Sequence, residues 1–124
     1  MLRMFQLFGR SAAIAALDDA LRSAGVHPLL VPEAVKLTIL KLHRQHPEGN
    51  DALSAALIGY CMLGHEGFAE STSAHAAAAA DERVEAALEA GDTLDAKLVL
   101  LTLHAELIAP EIADRIDLDD SRPK

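Results

Sequence analysis

Apolar residues recur along this chain at the three- and four-residue spacing of α-helices, and glycine, proline and capping residues separate one run from the next. Gly25, Gly64 and Gly91 each follow a periodic run, as helix-ending glycines do, whereas Pro32 and Pro110 each precede one. In chain order, the predicted helices cover about residues 11–24, 32–46, 50–64, 72–90, 93–109 and 110–116. No alternating run bounded by turn residues indicates a strand. The pattern therefore predicts an all-α fold, a compact bundle of five to six helices.

Two of the predicted helices are unusually apolar. The fifth, about residues 93–109, carries apolar residues on nearly every side, which is typical of a helix at the centre of its domain. The second, with an apolar run from Leu29 to Leu42, is almost as apolar. A chain of 124 residues has few helices with which to surround both. We therefore expect a second chain to cover part of one of these faces.

The length of the chain predicts one domain, which we place at residues 1–116, followed by a polar C-terminal tail at 117–124. Within the domain, Lys36–His43 and Lys97–His104 share Lys, Leu and His at matching positions, and each segment follows a predicted helix that ends in glycine. This similarity raises the hypothesis of an internal duplication, against the alternative that leucine-rich helices match by chance.

Charge is distributed unevenly along the chain. Residues 1–46 hold six Lys and Arg against three acids, a net charge of +3, and residues 47–124 hold five against sixteen, a net charge of −11. A helix-turn-helix is conceivable over residues 20–46, where Lys36, Lys41 and Arg44 are basic. Because the rest of the domain is acidic, binding to a phosphate backbone is disfavoured. We keep nucleic-acid binding as a second alternative and expect none.

Potential metal ligands and nucleophiles are most concentrated around the only cysteine, and the candidates are Cys61, His65, Glu70 and His75. If the third helix continued through Gly64, Cys61 and His65 would be neighbours one turn apart, a spacing that suits a metal or a thiolate–imidazolium pair. A small metal-binding protein or enzyme that uses Cys61, His65 and Glu70 is therefore the first alternative function. The simpler interpretation is a helix that ends at Gly64 and a buried, unreactive Cys61. We expect no catalytic residue, bound metal or cofactor.

A second acidic group lies on the predicted fourth helix. Glu82, Glu85 and Glu89 follow helical spacing opposite Val84 and Leu88, which predicts a solvated face rather than a metal site.

The N-terminal residues point to an interaction. Half of the aromatic residues lie in the first eight positions, and the interface that we predict there consists of Leu2, Met4, Phe5, Leu7 and Phe8. Such side chains are costly to leave in water, so they are expected to dock on this bundle, on a partner or on a membrane surface.

The leading prediction is a non-enzymatic protein-interaction or assembly module, and a homodimer, possessing no transmembrane segment. The single cysteine favours the cytoplasm, and we expect a bacterial setting.

Overall fold

The computed structural model assigns backbone conformation to residues 2–120 and describes side-chain surroundings for residues 12–116. Its elements, in chain order, are α1 (Leu2–Ser23), a 3₁₀ turn (Pro28–Leu30), α2 (Glu33–Gln45), α3 (Asp51–Ser71), α4 (Ala74–Ala90), α5 (Leu94–His104) and α6 (Pro110–Asp120). The molecule is 80% helical, and the described residues form no strand. The predicted all-α fold is confirmed. Within that part of the chain, none of the helices combines the length and the apolar character needed to span a bilayer.

Capping side chains begin three helices where the sequence predicts. Asn50 Oδ1 accepts a hydrogen bond from Leu53 N at 2.8 Å. Ser73 Oγ and Thr93 Oγ1 do the same at α4 and α5, each from the backbone nitrogen three residues ahead. Each contact satisfies one of the amide groups that the first turn of a helix leaves without a partner.

Two helix boundaries differ from the prediction. Helix α1 begins at Leu2, well before the predicted start at about residue 11, and continues through Ser11 without a break. Helix α5 ends at His104, several residues before the predicted end, because Glu106 takes a left-handed conformation with φ 61°. Leu107 N and Glu106 N then donate to the carbonyls of Thr102 and Leu103, which are the two bonds of a Schellman motif. Glycine is the usual residue at that position, so a glutamate there gives no sequence signal.

Two further segments also differ. Leu29 and Leu30 lie in the 3₁₀ turn before α2, not on the second helix to which the sequence pattern assigned them. Helix α6 extends to Asp120, into the region predicted as a polar tail.

The centre of the bundle is α3, and the prediction that the fifth helix is central is wrong. Helix α3 is buried on several sides along Ser54–Cys61, and it packs against α1, α4, α5 and α6. Small residues allow this close packing. A Cβ at Gly59 would lie 3.0 Å from the carbonyl oxygen of Ala24, so α3 meets the chain at the end of α1 almost backbone to backbone. Helix α5 instead leaves Leu100 exposed. A search for large apolar residues overlooks a helix whose central position depends on small ones.

The two segments with similar sequences do not occupy equivalent environments. Ile39 is buried on α2, whereas the matching Leu100 is exposed on α5. Thr38 is exposed and the matching Val99 is buried. The structure therefore adds no support to an internal duplication.

Candidate functional site

The residues around Cys61 are separated by a break in α3. At Gly64 the backbone leaves the helical conformation, with φ 79° and ψ 173°, and a second helical segment continues to Ser71. Cys61 lies before the break and is fully buried, whereas His65 lies after it and is exposed. The i, i+4 relation that would pair them in a continuous helix therefore does not hold.

The connection between α5 and α6, together with the first turn of α6, satisfies two backbone groups that the break exposes. Ala109 N donates to Cys61 O at 2.7 Å, and His65 N donates to Glu111 Oε2 at 3.1 Å. The Glu111 carboxylate occupies the space where a side chain at residue 64 would begin, since a Cβ there would lie 2.7 Å from Glu111 Cδ. Gly64 and Glu111 thus fit each other and fix the start of α6 against α3.

A polar cluster connects α3, α4 and α6 beside this break. The Tyr60 hydroxyl donates to Asp81 Oδ1 at 2.8 Å, and Arg115 donates to the same oxygen at 2.7 Å. His65 Nδ1 lies 3.1 Å from the Tyr60 hydroxyl. Because the phenol gives its only proton to Asp81, this contact requires a proton on His65 Nδ1. No sequence pattern predicts this cluster, because Tyr60 and Asp81 are 21 positions apart and no local motif joins them.

The pKa shifts of these groups favour a structural role over a reactive one. Burial, and then the hydrogen bond to Asp81, raise the pKa of Tyr60, so its hydroxyl remains neutral. The hydrogen bond from Tyr60, with Arg115 in a smaller role, lowers the pKa of Asp81 below its ordinary value despite partial desolvation. Burial raises the pKa of Cys61 to about 11, and a hydrogen bond with Thr102 offsets this only in part. A buried thiol with such a pKa is a poor nucleophile at neutral pH.

Glu70 and His75 are both exposed, at the end of α3 and the start of α4. Among the residues that the structure describes, His, Cys, Asp and Glu side chains form no group of three or more that could hold a metal ion. The structure thus does not bring the four candidate ligands together.

A second cluster lies where α2 ends and α3 begins. His43 Nε2 lies 2.7 Å from Ser54 Oγ, and His43 Nδ1 lies 3.6 Å from Asp51 Oδ1. This order of hydroxyl, imidazole and carboxylate has the connectivity of a catalytic triad. Ser54, however, has no exposed surface, and its amide already donates to Asn50 O within the helix. A substrate cannot reach a hydroxyl buried in this way, so the contact joins α2 to α3.

The helix-turn-helix alternative loses one of its basic residues. Lys36 is buried, and its ammonium group lies 2.8 Å from Asp18 Oδ1. The Lys36 ammonium group and Asp18 Oδ1 do not meet in hydrogen-bond geometry, so their contact is an ion pair without a hydrogen bond. Lys41 and Arg44 remain exposed.

Large exposed apolar side chains occur at three places on the described surface: in the turn before α2, on α3 and, at Leu100, on α5. Leu29 and Leu30, in the turn before α2, are 86% and 60% exposed. Leu53 is 49% exposed and forms one wall of a groove of about 330 Å³ where the start of α3, the end of α4 and the start of α5 meet. The opposite wall holds Ala86 and Ala90. We call this groove the acidic groove, because of the residues at its rim described below.

The predicted N-terminal interface, Leu2, Met4, Phe5, Leu7 and Phe8, lies outside the residues whose side chains the structure describes. It remains a prediction.

No family model, curated protein or solved structure matches this chain.

Tyr60→Phe tests the polar cluster. We expect the variant to lose about 1 kcal/mol of stability at pH 7, less than the roughly 1.5–3 kcal/mol of a hydrogen bond to a charged group, because Asp81 is partly exposed. A raised Tyr60 pKa favours folding at low pH, and this contribution is lost as the pH rises above about 10, where the unfolded phenol ionises. The stability of the variant should therefore fall less steeply above pH 10 than that of the wild type. Urea unfolding at pH 7 and at pH 10.5, followed by circular dichroism, measures both effects, and equal slopes above pH 10 would contradict this role.

Proposed function

We propose that this protein is a non-enzymatic protein-interaction module that assembles as a homodimer. The observation that carries the proposal is the pair of adjacent leucines, Leu29 and Leu30, exposed on a short turn. A single exposed leucine is common on protein surfaces, whereas two large apolar side chains presented together favour a contact with another protein.

The turn that presents these leucines is firmly held. His27 Nδ1 accepts a hydrogen bond from Leu29 N, and Val31 N donates to Pro28 O. Pro28 is buried, as are Val26 and Val31 on either side of the turn. The backbone thus needs little further ordering when the leucines are covered, and this reduces the entropic cost of association.

A second copy of the chain is the partner proposed for this turn. Twofold symmetry is the commonest arrangement of soluble homo-oligomers, and it would bring the same turn from both chains into one self-complementary interface. Full burial of a leucine side chain contributes roughly 1.5–3 kcal/mol, so four leucines would supply a large part of the driving force.

The buried state of the potential nucleophiles supports this proposal over an enzyme. Cys61 and Ser54 have no exposed surface, and each hydrogen-bonds within the bundle. A cytoplasmic location belongs to the same proposal, because the only cysteine cannot form an intrachain disulfide.

The test replaces both leucines, as Leu29→Ser with Leu30→Ser, and measures molar mass by light scattering after size-exclusion chromatography. The wild type should have about twice the chain mass of 13.2 kDa, and the double variant should be monomeric. Leu100→Ser is the matched control, since it removes an exposed leucine from α5, and it should remain dimeric. A monomeric wild type at high concentration contradicts the homodimer, and a dimeric double variant contradicts the role of the turn.

A further inference from the structure

We infer that the acidic groove binds the N-terminal segment, residues 1–11, of a second copy of this chain. This inference rests on the proposed homodimer and concerns a second surface, whose contact is weaker than that of the Leu29–Leu30 turn and does not hold the two chains together without it.

The walls of the acidic groove suit apolar side chains. Leu53 projects from the first turn of α3, and Ala86 and Ala90 face it from α4, where their small side chains leave the groove open. Leu94 contributes a further apolar side chain at the start of α5. Grooves with such walls bind amphipathic helices, whose apolar residues insert between them.

Arg83 lines the acidic groove and connects the three helices around it through hydrogen bonds. Arg83 donates to both carboxylate oxygens of Asp95 at 2.9 Å each, and also to Leu53 O at 2.9 Å. These bonds hold α4 against the first turns of α3 and α5. They also neutralise Arg83, so its charge does not offset the acids at the rim.

Acidic residues lie along one side of the groove. Glu82 and Glu89 are exposed on α4 within one turn of Ala86, which lines the groove. Glu48 also lines the groove, and its carboxylate lies 3.3 Å from His46 Nδ1. Asp92 precedes the α5 cap. Residues 81–95 contain six acids and one base. No ion pair between described residues uses Glu82 or Glu89. The rim therefore offers carboxylates to a basic partner.

The sequence of the N-terminal segment complements this groove. Arg3 and Arg10 are its only charged side chains, and Met4, Phe5 and Phe8 are among its apolar ones. It belongs to α1, which is helical from Leu2. A basic helical segment with large apolar residues matches a groove with small apolar walls and an acidic rim. Its apolar residues supply affinity and its arginines favour the correct orientation, since exposed ion pairs contribute little energy.

The experiment measures binding of a fluorescein-labelled peptide of residues 1–12 by fluorescence anisotropy. The receptor is the full chain with Phe5→Ser and Phe8→Ser. These substitutions weaken the binding of the receptor's own N-terminal segment and leave the groove available to the peptide. We expect the peptide to bind this receptor saturably, and to bind it more tightly than it binds the wild type. In the wild-type dimer, the N-terminal segment of each copy occupies the groove of the other. A peptide in which Phe5 and Phe8 are serine should not bind.

Ala86→Arg in this receptor places a bulky cation inside the groove, and it should raise the dissociation constant at least about tenfold, or 1.4 kcal/mol. The matched control is Ala78→Arg, which adds the same charge at an exposed alanine of the same helix, two turns away. It should change the dissociation constant less than about twofold at 0.15 M salt, because surface charges at that distance are screened. Circular dichroism checks that each variant is folded.

The outcomes separate this inference from the proposed function. No binding, or equal weakening by Ala86→Arg and Ala78→Arg, overturns the inference and leaves the Leu29–Leu30 contact unaffected. Binding that Ala86→Arg alone weakens supports it. If Ala86→Arg unfolds the receptor, Leu53→Ser replaces it at the opposite wall, with the same expected loss of binding.

Discussion

Phe68→Ala is expected to lower the free energy of unfolding by about 3–5 kcal/mol, the range for removal of a buried aromatic ring. Phe68 is almost completely buried, and its ring meets the Tyr60 ring edge to face, with centroids 5.8 Å apart. It lies after the break at Gly64, and it packs close to Gly59 before the break. The ring thus holds the two segments of α3 together at the centre of the bundle.

Such a loss is large for a small domain, whose total stability is typically about 5–15 kcal/mol. Urea unfolding followed by far-ultraviolet circular dichroism measures it. Leu100→Ala is the control, because this partly exposed side chain should cost less than about 1 kcal/mol. Phe68→Leu should recover most of the loss, since it refills much of the volume. If Phe68→Ala and Leu100→Ala cost the same, the central position of α3 in the packing would be contradicted.

The sequence predicts this fold well wherever a helix begins or ends in a residue with a special backbone or side-chain role. Asn50 and Thr93 cap helices as expected, and Gly25 and Gly91 end them with positive φ. The predictions fail where such a role falls to an ordinary residue. Glu106 takes a left-handed conformation because the chain must turn from α5 into α6. That requirement is tertiary, so no local pattern reports it.

The polar clusters are harder to predict than the helices. His43 contacts Ser54 across the connection between two helices, and Arg83 contacts Asp95 in the same way. Each pair depends on how neighbouring helices cross, and the spacing within one helix does not give that angle. The sequence does concentrate potential metal ligands around Cys61. The break at Gly64 separates these residues, and a glycine alone does not reveal whether a helix ends there or resumes after a kink.

The two proposed surfaces also differ in what the sequence reveals. Two leucines between Pro28 and Pro32 resemble the beginning of an apolar helix, so their exposure is a property of the fold alone. The acidic face of α4, by contrast, follows from the helical spacing of Glu82, Glu85 and Glu89, and all three are exposed as predicted. What the spacing does not reveal is the groove beside them.

Gly64→Ala is expected to lower the free energy of unfolding by about 3 kcal/mol. The conformation of Gly64, φ 79° and ψ 173°, lies in a region that is essentially restricted to glycine, and a side chain there costs of order 1–3 kcal/mol. A Cβ would also lie 2.7 Å from Glu111 Oε1 and would displace the carboxylate. The bond from His65 N to Glu111 would then be lost, a further cost of about 0.5–1.5 kcal/mol.

Urea unfolding of Gly64→Ala and of a matched control, Gly91→Ala, separates the two causes. Gly91 also has a positive φ, 76°, but a Cβ there meets no atom within 4 Å, so its substitution should cost only about 1–2 kcal/mol of backbone strain. The contact with Glu111 is isolated by repeating Gly64→Ala in a Glu111→Ala background, where the alanine should be less costly because the carboxylate is absent. Equal costs for Gly64→Ala in the two backgrounds would mean that Glu111 is not held against the break, and that α6 is positioned by its buried Ile112 and Ile116 instead.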